Sequence, residues 1–500
     1  MISRTKSPTS STVQGKAITP PRRGGHSKLT QLILAFLLLS NSLAPAAETA
    51  MWAGSPSRNQ VSAEKNLPTQ WDPASGQNIK WTVPLGSQTY AGPLLMDDKI
   101  FVGTNNQSER NPKHKGDRGI VMAFNAADGH FLWQSSHTKL KAGRVNDWPQ
   151  QGVCSTPFIQ DDRLYYISNR CEVVCIDTEG FTDGENDGPA TAEPDTTAID
   201  ADLIWKYDMI AELDVFPHNL ATCSPVGVGN LLFVVTGNGV DEGHVHIPSP
   251  FAPSFIALNL QTGELVWESD LPGENILHGQ WSNPAYGEID GVGQVIFPGG
   301  DGWVYALDPQ SGELIWKFDC NPKTSEWELG GRGSRNNIIS TPVFYDNKVY
   351  IAVGQDPEHG EGAGHLWAID ASQKGDITAT GAIWHFGDKD YNRTMSSVAI
   401  HDGLLYTSDL SGFVYCLDVA TGTPHWKYDT FAAIWGSPFV ADGKIYIGDE
   451  DGDVAVLKTG KKLELIHEVN MGSAVYTTPV ARDGVLYIAS RNTLFAIAEK

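Results

Sequence analysis

Polar and aromatic side chains able to grip a ligand recur in this 500-residue chain near the starts of apolar segments: His218, His278, Trp281, Arg335, Asn336, Arg393, Trp435 and Tyr476. Arg335 and Arg393, in a chain of formal charge −23, suit a carboxylate or phosphate, which a planar guanidinium grips with paired hydrogen bonds. The competing reading is that they brace loops against the chain's own acids. His244-Val-His246, and His359-Gly-Glu361 with His365, carry imidazole and carboxylate groups of metal-ligand chemistry. No spacing fixes them to one another, so no metal is expected. Asp449-Glu-Asp-Gly-Asp453 has the carboxylates of a calcium loop without the terminal Glu such a loop needs, and Asp301-Gly302 repeats the turn; both read as structural. There is no Ser-His-Asp nucleophile elbow and no phosphate-cradling glycine loop.

The elements that must position these residues form a repeat. Gly302-Trp-Val-Tyr-Ala-Leu-Asp-Pro-Gln-Ser-Gly-Glu-Leu-Ile-Trp316 matches segments ending at Trp426 and Trp267, each a short strand, an Asx and Gly turn, and a strand carrying Trp. Aligning the first of these strands gives one small-residue position, filled by Ala123, Cys175, Ala257, Ala306, Ala368, Cys416, Val456 and Ala496. A second signal lies upstream, a small or polar residue before Pro: Gly92, Thr156, Ser224, Asn283, Thr341, Ser437 and Thr478, with Ser397-Val398 the one departure. Both signals count to eight. With an apolar strand between them, each unit has four strands, which predicts a single all-β, eight-bladed propeller of antiparallel blades from residue 78 to 500. Trp133, Trp205, Trp267, Trp316, Trp384 and Trp426, with His467, mark the fourth strands as blade-packing residues. The last unit lacks a fourth strand, and the segment from Ile79 to Leu85, with Trp81, is expected to supply it and close the ring. Cys175 and Cys416, at the small position, read as buried thiols rather than disulfide partners. The acidic insert 182–201 reads as a mobile loop rather than a site.

These repeats resemble the PQQ-repeat family of eight-bladed propellers, over roughly residues 78 to 500, through an A-x-D-x-x-T-G-x-x-x-W signature. Trp52-Ala-Gly-Ser-Pro-Ser-Arg-Asn59 is similar to the opening of the family's exported members. The resemblance implies one of two functions. One branch contains quinoprotein alcohol and sugar dehydrogenases; the other contains non-catalytic scaffolds, such as the propeller of the outer-membrane protein assembly machinery. The first implies pyrroloquinoline quinone held by calcium with Glu and Asn ligands, capped by a disulfide between adjacent cysteines and served by an Asp base. Asn238, in Thr236-Gly-Asn-Gly239, matches the Asn ligand. The rest of the set is missing: Asn169-Arg-Cys-Glu-Val173 lacks the Glu at the expected turn, Gly299 stands where the Asp would fall, and no two cysteines are adjacent. No cofactor is therefore expected, PQQ with calcium belonging only to the alternative reading.

Residues 1–46 hold six basic and no acidic residues, an apolar run from Leu32 to Leu39 and a small-residue stretch at Ala44-Pro-Ala-Ala47, the pattern of a secretory signal. The long basic region leaves retention as an anchor as the alternative. Residues 47–77 form an N-terminal extension. The composition, 41% hydrophobic with 51 Gly and 15 Trp, supplies a large core and many turns. Its acidity argues against nucleic acid as a partner. The expectation is an exported, monomeric protein of the periplasm or cell envelope, without a membrane segment once the signal is cleaved. It would bind an envelope protein or a small anionic ligand with the residues named first.

Overall fold

A computed structural model describes residues 49–355, 358 and 362–499; the expected signal at 1–46 lies outside them. The regular structure of the described residues is eight small sheets, one α-helix, Met209–Leu213, and short 3-10 turns. Blade one is the meander Leu94–Met96, Lys99–Asn105, Arg118–Asn125 and Phe131–Thr138, and the later blades repeat it. First strands adjoin from blade two through blade five and between blades six and seven, so they line the axis of an eight-bladed propeller. Three further strands precede blade one: β1 (Thr49–Met51), β2 (Val61–Ser62) and β3 (Ile79–Pro84). β3 pairs antiparallel with Thr493–Ile497 as the fourth strand of blade eight, closing the ring as expected. No described helix is long and apolar enough to cross a membrane.

The register gives the first repeat signal its physical reason. Ala123, Cys175, Ala257, Ala306, Ala368, Cys416, Val456 and Ala496 lie directly across from Trp133, Trp205, Trp267, Trp316, Trp384, Trp426, His467 and Trp81. A small side chain on the third strand makes room for a large ring on the fourth. The ring then locks onto the next blade. Trp133, Trp205, Trp267, Trp384 and Trp426 donate from Nε1 to the carbonyls of Thr178, Leu260, Pro309, Val419 and Gly460, and Trp81 donates to Ala126 across the closure. Blade four uses a relay: Trp316 donates to Gln294 Oε1, and Gln294 Nε2 donates to the carbonyl of Ala371.

The second signal is a belt around the axis. Backbone N–H groups of Gly92, Thr156, Ser224, Ser397 and Ser437 donate to the side chains of Thr156, Ser224, Asn283, Ser437 and Thr478, each one blade further on. Asn283 and Ser397 both donate to Thr341, to its hydroxyl and its carbonyl respectively. A small polar residue is needed there because its side chain caps a neighbour's backbone in crowded space.

The N-terminal extension occupies one end of the channel. β1 pairs with Phe158–Gln160 of blade two and β2 with Phe439–Ala441 of blade seven, both first strands. Between them, Tyr286 and Phe344, on the first strands of blades four and five, donate backbone N–H groups to the carbonyls of Pro56 and Ser57. Asn59 bonds Ile400 of blade six through both its amide atoms. Arg58, wholly buried, donates to the carbonyls of Trp52, Ser224, Pro225 and Pro284 at 2.7–2.9 Å. The extension then wedges Trp71 beside blade seven, where Trp71 donates to Met471 Sδ and its carbonyl lies 3.5 Å from His467 Nε2.

The acidic insert 182–201 is tied down rather than loose. Asp195 ion-pairs with Lys113, Asp187 with Arg163, Asp200 accepts from Asn111, and backbone bonds join residues 199–201 to Gln134. Cys175 and Cys416 are buried thiols, as all six cysteines are thiols.

Candidate functional site

A cavity of about 390 Å³ opens on the axis above the extension. One repeat position contributes to its wall from every blade. Side chains alternate along an extended segment, so the residue two before the small pre-proline position faces the same way. That position holds Tyr90, Cys154, Thr222, Trp281, Ile339, Met395, Trp435 and Tyr476, and all eight line the cavity. Trp52, from the extension, and Trp148 add two more indoles to the lining. Tyr90 stacks on Tyr476 with ring centroids 5.1 Å apart, and Trp435 meets Tyr476 edge-on at 5.6 Å. Burial raises the phenols of Tyr90 and Tyr476 and pushes the Cys154 thiol up to about 12, so these groups stay protonated at neutral pH. Among the described lining residues Glu358 alone carries a formal charge.

Of the residues expected to bind a ligand, Trp281, Trp435 and Tyr476 line this cavity. His218 and His278 stand behind Trp281, whose Nε1 donates to the carbonyl of His218 at 3.0 Å. Arg335 and Arg393 do not converge on the cavity. Arg335 is spent as a brace, bonding both carboxylate oxygens of Asp319 at 2.7 and 3.1 Å and the carbonyl of Asp301 at 2.8 Å. Asn336 is fixed through its backbone, which exchanges bonds with the Asn321 amide. Arg393 joins the propeller through its backbone, bonding Gly362 and Leu410. Sequence reasoning missed Trp52, Tyr90 and Glu358. Tyr90 was legible in principle, since it shares its repeat position with Trp281, Trp435 and Tyr476.

The residues present do not fit PQQ with calcium. Asn238 is fully buried, its Oδ1 accepting from Phe216 N at 3.0 Å and its Nδ2 donating to Ser249 O at 2.8 Å, and it does not line the cavity. At Gly299 an added Cβ would stand 2.5 Å from Asp301 Oδ1 and 2.8 Å from the Trp303 carbonyl, leaving no room for an aspartate. Glu172 is engaged by Lys206 at 3.0 Å.

Three histidines gather beside the cavity wall. His218 enters blade three, His244 lies between the second and third strands of that blade, and His278 enters blade four. Their ring centroids are 4.4, 4.5 and 4.9 Å apart. Glu358, between the second and third strands of blade five, brings Oε2 to 3.6 Å from His278 Nε2. His246 is exposed outside this cluster, His365 instead lies against His385 at 3.0 Å, and His359 and Glu361 fall outside the described residues.

Comparisons with known proteins agree with the fold. The outer membrane protein assembly factor BamB from Yersinia pestis is 25% identical over 58% of this chain and 66% of its own length. The polyvinylalcohol dehydrogenase from a Sphingopyxis strain is 23% identical over 63% of this chain and 42% of its own length. The chain thus spans less than two thirds of either relative. The crystal structure of BamB from Moraxella catarrhalis superposes with a TM-score of 0.52 at 16% identity, covering 84% of this chain and 97% of that one, a likeness of fold. The family model for outer membrane protein assembly factor BamB matches residues 117–389 and 364–497, most of the propeller, and the chain belongs to that family.

Proposed function

We propose that this protein is an exported, non-catalytic propeller of the cell envelope that docks a protein partner in its axial cavity. The observation that carries this reading is the cavity itself: an aromatic cup, backed by the chain's own extension, in which the titratable thiol and phenols are held protonated. Aromatic anchors buried in a pocket are the typical energetic centre of a protein interface. The lining carries Glu358 and no Arg or Lys among its described residues, which favours a neutral or cationic segment over an anion. The family's relatives among assembly factors are consistent with a partner in the outer-membrane assembly process.

Affinity capture from an envelope fraction tests the reading, with Trp435→Ala plus Tyr476→Ala as the comparison. The double variant is expected to lose the captured partner while unfolding at nearly the same temperature; unchanged capture would sink the cavity as the docking site.

The second reading, a divergent PQQ-dependent dehydrogenase, is favoured by the polyvinylalcohol dehydrogenase relative. It is weakened by the local pairing of Asn238. Reconstitution with PQQ and calcium is expected to give no dye-linked oxidation of alcohols or sugars above background. Sustained turnover would overturn the non-catalytic reading.

A further inference from the structure

We infer that His218, His244, His278 and Glu358 form a binding site for a divalent transition metal of zinc type, stapling the mouth loops of blades three, four and five. The four candidate ligand atoms all lie within 4.8 Å of one another. Donors about 2.0–2.1 Å from a tetrahedral Zn²⁺ stand about 3.4 Å apart. His244 Nε2 lies 3.3 Å and Glu358 Oε2 3.6 Å from His278 Nε2, close to that spacing.

The surroundings are those of a ligand set. His218 Nδ1 lies 2.8 Å from the carbonyl of Val240, which can only accept, so Nδ1 carries the proton and Nε2 is the lone-pair nitrogen. A backbone carbonyl on the second ring nitrogen is the usual way a metal-binding histidine is oriented. Asn219 Nδ2 approaches Glu358 Oε1 at 3.4 Å and orients the carboxylate in the same manner. Glycines let the ligands approach. A Cβ at Gly330 would stand 2.6 Å from His244 Cβ, and one at Gly239 would stand 2.7 Å from His218 Cβ.

Three imidazoles and one carboxylate form a nitrogen-rich, borderline donor set, which suits zinc, cobalt, nickel or copper and disfavours calcium and magnesium. Because Glu358 and Trp281 also line the axial cavity, the metal would fix one side of its wall. The inference does not depend on what the cavity binds.

The test uses the full chain stripped with a chelator, then titrated with Zn²⁺ and, separately, Co²⁺. One zinc per chain is expected by elemental analysis, and the Co²⁺ form should show visible d–d absorption of four-coordinate intensity. His244→Ala should weaken zinc binding by more than the roughly 10–100-fold typical of outer-shell losses, and Asn219→Ala by about 10-fold. His246→Ala, outside the cluster, should bind as the parent does. Because His244 is half-buried and Glu358 exposed, His244→Ala and Glu358→Gln should stay folded by circular dichroism. Absence of stoichiometric binding, or parent-like affinity in both of these variants, would mean a hydrogen-bonded histidine cluster only and would overturn the site.

Discussion

Asp301 shows how one buried carboxyl ties a turn to pH. Its Oδ2 accepts from Tyr305 Oη at 2.7 Å and its Oδ1 from Trp303 N at 3.0 Å, while burial raises its pKa to about 6. A folded pKa above the unfolded 3.8 favours the protonated native state, so this contribution to stability is complete below about pH 4 and lost as pH rises through 6. Asp449, also raised to about 6 by burial, acts in the same direction. His137 acts oppositely: burial lowers it to about 4, so its contribution is present above pH 6.5 and lost as pH falls through 4. Asp301→Asn keeps an acceptor for Trp303 N and a donor for Tyr305 Oη. It is expected to flatten the stability profile between pH 4 and 6 and to raise the midpoint at pH 7; thermal melts across that range would show an unchanged slope if the carboxyl were irrelevant. The calcium-like look of Asp449-Glu-Asp-Gly-Asp453 has the same structural origin, with Asp449 Oδ1 accepting from the N–H groups of Gly452 and Asp453.

At the scale of elements, Trp81, Trp133, Trp205, Trp267 and Trp384 each interlock with a turn glycine of the following blade, Gly129, Gly180, Gly263, Gly312 and Gly422 respectively. Gly263 has φ +71°, which favours glycine, and an added Cβ would stand 2.6 Å from the Trp205 ring. Gly263→Ala is therefore expected to cost on the order of 2 kcal/mol, more than the φ penalty alone. Gly116→Ala provides the comparison, since Gly116 has φ +75° with nothing near its Cβ position, and should cost about 1 kcal/mol. Equal losses in urea unfolding would rule out the contact as the cause. The tryptophans, glycines and small residues of the signature were all legible in the sequence. That the glycine belongs to the next blade's turn, and the small residue to the strand opposite, was not, because a repeat pattern fixes spacing along the chain and not which unit a side chain touches.

For the whole molecule, the extension is what turns an open channel into a cavity. Arg58 gathers carbonyls from blades three and four at the axis, its pKa lowered to about 10 by burial yet still well above neutrality. Arg58→Met would leave four carbonyls, three of them in buried bonds, without this donor and is expected to cost at least about 3 kcal/mol, lowering the melting temperature and loosening Trp52 from the cavity. Parent-like stability in a thermal melt would show the arginine to be dispensable. The sequence by itself determined the blade count, the phase of every blade and the closure by Ile79–Pro84, because burial alternation and turn chemistry are local and repeat eight times. Tertiary structure alone decided the rest. It sent Arg335 to Asp319, gave both amide atoms of Asn238 local partners, laid Trp52 and Arg58 in the channel, and brought His218, His244, His278 and Glu358 together. The physical reason is that such contacts join loops of different blades, whose distance along the chain carries no information about their separation once the ring has closed.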